Sequence, residues 1–462
     1  MRLNDHLGLA CTGWTWSYAA LLVVLWGVAP LVARRRGGPQ RSLAASPFGF
    51  FWVGFTVDVV IRFFLLAYES VEFGNDTFRL ADVPPRNLDR AMVLVIVYWV
   101  SVTVGFVLWP RRSAGGPLRP VEALGGDGRW DRQLLVLLAS TACIVAGSGL
   151  VPLPLALATP IGLLGRLWIV PASFVWAEHW RGMATGRTRW LVLAPALVQF
   201  ALSPFREHLV PLALVPLLTL VCVRGRMPRR AVAGAVAAVL TFLAIGPLTS
   251  AYRDVRWGGH AVSSVTQGDP ESDQDFQELP DPSWLITIRR FHAFDSLLLT
   301  VDLVPNAFPF TGEPVLMDGF LRGLVPRVLV PSKARSNRGQ EFARTIWSYD
   351  SEIESDAAIA PSMPGDLYWA GGASYVLAGA LLWGLLLGAL DAWAAALRPS
   401  ARAAVLLLFA TQVLPSVERD FAHCVATLVQ TLVVLGVAGG LARRLWRLRA
   451  PAARWVAAGS AA

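Results

Sequence analysis

The sequence predicts an all-α, polytopic membrane protein with about eleven transmembrane helices and one large extracytoplasmic loop between the eighth and ninth. Three observations predict it. Of 462 residues, 55% are hydrophobic and only 16% charged, with a mean hydropathy of +0.50. That is more apolar surface than a soluble fold of this size can bury or cover. Apolar runs of about 20 residues, the length that crosses roughly 30 Å of hydrocarbon, recur along the chain. Arginines gather in alternate connections between those runs, as they do on the cytoplasmic side of membrane proteins.

The runs place spans near 16–33, 47–67, 91–109, 133–151, 154–176, 190–205, 207–223, 231–250, 371–395, 402–417 and 421–440. The sixth and seventh are expected to form one re-entrant or tightly hinged pair around Pro204. The first run begins near Trp16 and is followed by an arginine cluster in place of a small-residue cleavage site, so no cleavable signal peptide is expected. Alternate connections hold Arg34, Arg35, Arg36 and Arg41, then Arg111, Arg112, Arg119, Arg129 and Arg132, then Arg181, Arg187 and Arg189. The series continues with Arg224, Arg226, Arg229 and Arg230, then Arg398 and Arg402, then Arg443, Arg444, Arg447, Arg449 and Arg454 in the tail. These segments carry 23 of the 41 basic residues, and all six fall on one side if there are eleven spans. A multi-pass cell-membrane protein with its amino terminus outside and carboxyl terminus in the cytoplasm follows.

Three regions are expected: a transmembrane bundle over 1–250, an extracytoplasmic loop over 251–370 that carries the chemistry, and a second bundle with a cytoplasmic tail over 371–462. The loop holds 17 of the 32 acids and, against the positive-inside trend, ten basic residues. Long loops translocate whatever their charge, so the orientation survives, yet those cations need another reason to be there.

The net charge of +9 does not point to nucleic acid, because the basic residues are dispersed in short clusters between apolar runs. Cys11, Cys143, Cys222 and Cys424 are scattered singly, without CxxC or histidine at ligand spacing, so neither disulfides nor a metal site is expected.

Three stretches could carry chemistry. Ala251-Tyr-Arg-Asp-Val-Arg-Trp257 places Arg253 and Arg256 on one face of a continuing helix, where they can clamp a phosphate or snorkel to headgroups. Val325-Pro-Arg-Val-Leu-Val-Pro-Ser-Lys-Ala-Arg-Ser-Asn-Arg338 delivers Arg327, Lys333, Arg335 and Arg338, and Lys333 is the only lysine beside 40 arginines. Such a segment is either an anion site or a solvated basic loop. Ala360-Pro-Ser-Met-Pro-Gly-Asp-Leu-Tyr-Trp-Ala-Gly-Gly372 sets Asp366, Tyr368 and Trp369 at the start of an apolar run. A carboxylate beside aromatics suits a sugar, and equally suits an interfacial aromatic belt with a capping aspartate. Intramembrane charges form a further group. Asp58 and Arg62, four apart, are expected to pair with each other, Arg166 belongs to the same group, and Arg206 adjoins Glu207 and His208. His292, in Arg289-Arg-Phe-His-Ala-Phe294, is the best-placed histidine for proton transfer.

These residues resemble the Wzy-type oligosaccharide repeat-unit polymerases, relatives of the O-antigen ligases among lipid-linked-sugar glycosyltransferases. The likeness rests on Arg206 at the sixth-to-seventh junction, Pro326-Arg327 with Pro331-Ser-Lys333, and Gly365-Asp-Leu-Tyr368 with Gly371-Gly372, and covers roughly residues 200–395. The family's acid position calls for glutamate where this chain has Asp366. What the resemblance implies is cofactor-free, metal-independent transfer of a growing glycan from a polyprenyl diphosphate to an acceptor sugar hydroxyl. Arg206, Arg253, Arg256, Arg327, Lys333, Arg335 and Tyr368 would then bind the lipid-linked oligosaccharide, and Asp366 or His292 would take the acceptor's proton. A chain-length regulator and a flippase are the partners such an enzyme would have, besides membrane lipids. The alternatives are a ligase-like enzyme with a different acceptor and a non-enzymatic transporter of lipid-linked sugars. A transporter is expected to show repeated halves with helices broken at mid-membrane.

Overall fold

The computed structural model describes residues 11–37, 45–64, 83–110, 121, 124, 130–150, 155–183, 188–202, 210–225, 228, 293–312, 317, 321, 324–325, 338–347 and 359–459. Every regular element among them is helical. In chain order these are α1 (Gly13–Gly37), α2 (Pro47–Phe55), α3 (Pro85–Leu108), α4 (Trp130–Val145), α5 (Leu155–Gly165) and α6 (Ile169–Trp180). After the turn Thr188–Leu191 come α7 (Ala194–Leu202), α8 (Val210–Arg224), α9 (Ala293–Leu303) and α10 (Arg338–Phe342). The chain closes with α11 (Met363–Gly371), α12 (Ala373–Ala395), α13 (Pro399–Val413) and α14 (Phe421–Gly459).

Eight helical stretches among the described residues are long and apolar enough to cross a membrane: Gly13–Val32, Pro47–Phe64, Pro85–Leu108, Trp130–Ser148, Pro160–Trp180, Ala373–Ala395, Pro399–Val417 and Phe421–Leu445. Arg189–Leu202 and Pro211–Arg224 are apolar but shorter, and they coincide with the expected hinged pair. The span expected at 231–250 lies outside the described residues.

Exposure separates the lipid side from the core. Val93, Val100, Val104 and Val107 of α3 recur at helical spacing and are exposed, as are Leu21, Val24, Val28 and Leu31 of α1. Apolar stripes of that length facing outward are what a multi-pass membrane protein presents to hydrocarbon. The opposite face of α3 is aromatic: Phe48, Phe51 and Phe55 of α2 pack on Tyr98, Trp99 and Phe106, with the Phe55 and Trp99 rings 4.4 Å apart.

Because lipid tails are as apolar as leucine, helices in a membrane associate by close backbone approach and small residues. A Cβ at Gly105 would lie 2.2 Å from the Leu381 carbonyl oxygen, and one at Gly384 would lie 2.1 Å from that of Val102. The two glycines face each other and draw α3 and α12 together. Gly54 does the same for α2 against the Leu414 backbone. Just beyond this contact, Asp58 lies against Glu418.

The segment expected to be one polar loop contains a core helix. Every residue of α9 from Ala293 to Val301 is buried. Eleven residues are too few to span a bilayer, which is why the hydropathy pattern passed over it.

Candidate functional site

The expected Asp58–Arg62 pair does not form. Arg62 instead reaches Asp295 at the start of α9, Nε donating to both carboxylate oxygens at 3.1 Å and Nη2 to Oδ2 at 2.7 Å, with both side chains 2% exposed. Around Asp58 the helix widens into π-helical turns over Thr56–Ile61, which breaks the simple register that a four-residue spacing assumes. Asp58 lies beside the Glu418 side chain instead.

A second ionic centre lies where α10, α11 and α14 meet. α11 is a buried helix of nine residues bracketed by two left-handed backbone positions, Ser362 at φ 59° and Gly372 at φ 74°. Ser362 caps it, its Oγ accepting from the Gly365 amide at 3.2 Å. Its last carbonyls are met by Thr311 and Gly312: the Thr311 amide donates to Trp369 O at 2.9 Å and that of Gly312 to Ala370 O at 3.0 Å. Gly372 then turns the chain into α12.

Asp366, in the first turn of α11, is 2% exposed. Its Oδ1 accepts from Arg338 Nε at 2.9 Å, and its Oδ2 accepts from the Phe421 amide at 3.1 Å. The Phe421 amide is one of the orphan donors at the amino-terminal end of α14, so Asp366 caps that helix while pairing with Arg338. Arg338 is held on every side. Nη1 donates to Glu341 Oε2 at 3.1 Å, Nη2 donates to Thr311 Oγ1 at 3.2 Å, and the guanidinium lies 3.7 Å from the centre of the Trp369 ring. Asp420 stands beside this pair and accepts the His423 amide at 2.7 Å, a second cap for α14.

Burial pushes the Asp366 carboxyl above the ordinary aspartate range. Arg338 pulls it down, Asp420 pushes it up again, and the hydrogen bonds from Arg338 and Phe421 lower it, leaving it raised. Asp420 is raised for the same first reason, opposed by the His423 amide and by Arg338 and Arg419.

Of the residues singled out in the sequence, Asp366 and Tyr368 fall in this centre. Tyr368 is 6% exposed, its hydroxyl donates to Val304 O at 3.5 Å, and its ring meets that of Phe310 edge-on. It packs rather than presents a face. Trp369 is equally enclosed, with Arg338 over its ring. Arg206, Arg253, Arg256, His292, Arg327, Lys333 and Arg335 lie outside the described residues. Three participants were not singled out as site residues: Arg338, Asp295 and the run Glu418-Arg-Asp420. A signal existed for the last, since three charges in a row fill the whole connection between two apolar runs.

Among the described residues no group of histidine, cysteine or carboxylate side chains could hold a metal ion. The arrangement can fix geometry. An ion pair with each arginine nitrogen and both carboxylate oxygens engaged ties the end of the basic segment to α11 and to α14. Comparisons with protein-family models, curated proteins and solved structures return no match for this chain.

Proposed function

We propose that this protein is a membrane glycosyltransferase that polymerises polyprenyl-diphosphate-linked oligosaccharide repeat units at the outer face of the cell membrane, without a metal ion. One observation carries the reading. Asp366, in the Gly365-Asp-Leu-Tyr368 stretch of the resemblance, forms an ion pair of 2.9 Å with Arg338, five residues beyond the Pro331-Ser-Lys333 stretch of the same resemblance. The leaving diphosphate gains charge in the transition state and needs cations held in place before reaction. In this reading Arg327, Lys333 and Arg335 supply that charge, with Arg206, Arg253 and Arg256 completing the pocket. Arg338 and Asp366 are positioning residues that anchor the cationic segment. Enclosed and doubly hydrogen-bonded, Asp366 holds Arg338 and the Phe421 amide, and the acceptor's proton passes to His292.

In cells that make the polysaccharide, Arg338→Ala is expected to cut polymer about 10²-fold, the order that follows a small misplacement of reacting groups. Single lipid-linked repeat units accumulate. Arg338→Lys rescues only in part, because a point charge cannot hold three separate partners. Normal polymer length from Arg338→Ala, with the protein present at wild-type level, would remove the reading.

A further inference from the structure

An aromatic cluster gathers where α6 ends and the chain turns toward α7. The spanning stretch Pro160–Trp180 stops there, and the apolar stretch Arg189–Leu202 begins. Trp176, His179 and Trp180 share one face of α6 by helical spacing. The Trp176 ring meets those of His179 and Trp190 edge-on at 5.5 and 5.4 Å. Trp180 packs against Trp176 and His179, and its indole Nε1 donates to Pro216 O at 3.1 Å.

Arg189 enters this cluster. Its guanidinium carbon lies 5.8 Å from the centre of the Trp176 ring and 5.6 Å from that of Trp190. Nη1 stands 2.5 Å from His179 Nε2, and because arginine only donates, the imidazole nitrogen accepts. The charge itself is unanswered. Among the described residues no carboxylate forms an ion pair with Arg189, and the neighbouring Glu178 answers Arg181. Two donors are left over as well. Arg189 Nε and Trp176 Nε1 are both buried without a hydrogen-bond partner, and Trp176 is 3% exposed. Leaving a buried donor unmatched costs more than a made hydrogen bond gains, so the cluster calls for an acceptor that carries negative charge.

We propose that Arg189 and Trp176 hold a phosphate oxyanion, presented by the headgroup of an anionic phospholipid. Such a group supplies the charge that Arg189 lacks and lone pairs enough for both N–H groups. The surroundings favour a lipid over free phosphate, because Met183, Trp190 and Leu191 are exposed and offer acyl chains an apolar surface. Trp190, on the short turn Thr188–Leu191, is the exposed wall that moves aside to admit the headgroup. The inference does not rest on the glycosyl-transfer reading, because its readout is attachment and not turnover.

The test is lipid retention by the full chain in mild detergent, read by native mass spectrometry during titration with phosphatidylglycerol or phosphatidylcholine. Wild type is expected to hold one phosphatidylglycerol about tenfold more tightly than phosphatidylcholine. Arg189→Gln removes the charge and should weaken phosphatidylglycerol about tenfold, erasing the preference. Trp176→Phe keeps a ring and drops the N–H, and should weaken it about fivefold. Thermal midpoints check that both variants are folded, and Trp176→Phe decides the matter if Arg189→Gln is not. Equal retention of the two lipids by wild type would overturn the proposal, as would unchanged phosphatidylglycerol affinity in either folded variant. Release of the bound lipid by millimolar inorganic phosphate would overturn its assignment to a headgroup.

Discussion

Asp366 and Arg62 show how a buried charge is decided by its partners. Asp295→Ala leaves the Arg62 guanidinium at 2% exposure without its carboxylate, and a destabilisation of about 3–5 kcal/mol is expected. The double change Arg62→Met with Asp295→Leu removes both charges and should recover most of that loss, read as the thermal midpoint in detergent. At Asp366 the sign runs the other way from a typical surface ion pair. Its folded-state value lies above the ordinary 3.8, so the folded protein binds this proton more readily than the unfolded chain. Its contribution to stability is therefore fully present below 3.8 and falls as pH rises from there through the raised value. Asp366→Asn should flatten that part of the stability-versus-pH curve, and an unchanged slope would assign the titration elsewhere. Little of this was legible in the sequence. Asp366 announced itself by its Pro- and Gly-rich surroundings, with capping as one of its two readings. Its partner, 28 residues earlier, was one of three arginines and a lysine in a basic segment, and nothing local distinguishes the one that turns inward.

The helices repeat the point in their backbones. Ser362 occupies a region that only glycine adopts freely, which costs on the order of 1–3 kcal/mol, while its hydroxyl caps α11. Ser362→Gly gives up only a few tenths of a kcal/mol of capping and releases the strain, so a gain of about 1 kcal/mol is expected. Ser362→Ala keeps the strain and loses the cap, and should cost about 1 kcal/mol. The ordering Gly above Ser above Ala in thermal midpoint is the check. Gly384→Ala pushes a methyl into the Val102 carbonyl and forces α3 from α12, at an expected cost of about 1–3 kcal/mol. The apolar runs gave the positions of the spanning helices because 20-residue hydropathy is additive along the chain. They missed α9, since burial by tertiary packing leaves no length signature, and they missed the facing of Gly105 and Gly384, a property of two runs together.

At the scale of the molecule, the orientation expected from the arginine distribution, 251–370 outward with 111–132 and the tail in the cytoplasm, is a prediction to be tested. With single cysteines at Ser264 and Ser113, a membrane-impermeant thiol reagent on intact cells should label the first and spare the second. The reverse pattern would invert the topology. The described architecture is an all-helical bundle with apolar stripes turned outward, and in the proposed reading the Arg338–Asp366 tie holds the cationic segment against it. The most direct measurement is elongation by the purified protein on lipid-linked repeat units, in the presence of a chelator, with product length read on a gel. The expected result is a ladder from wild type and a loss of about 10²-fold from folded Arg338→Ala. A wild-type protein that elongates nothing under these conditions, or an Arg338→Ala protein that elongates normally, would contradict it.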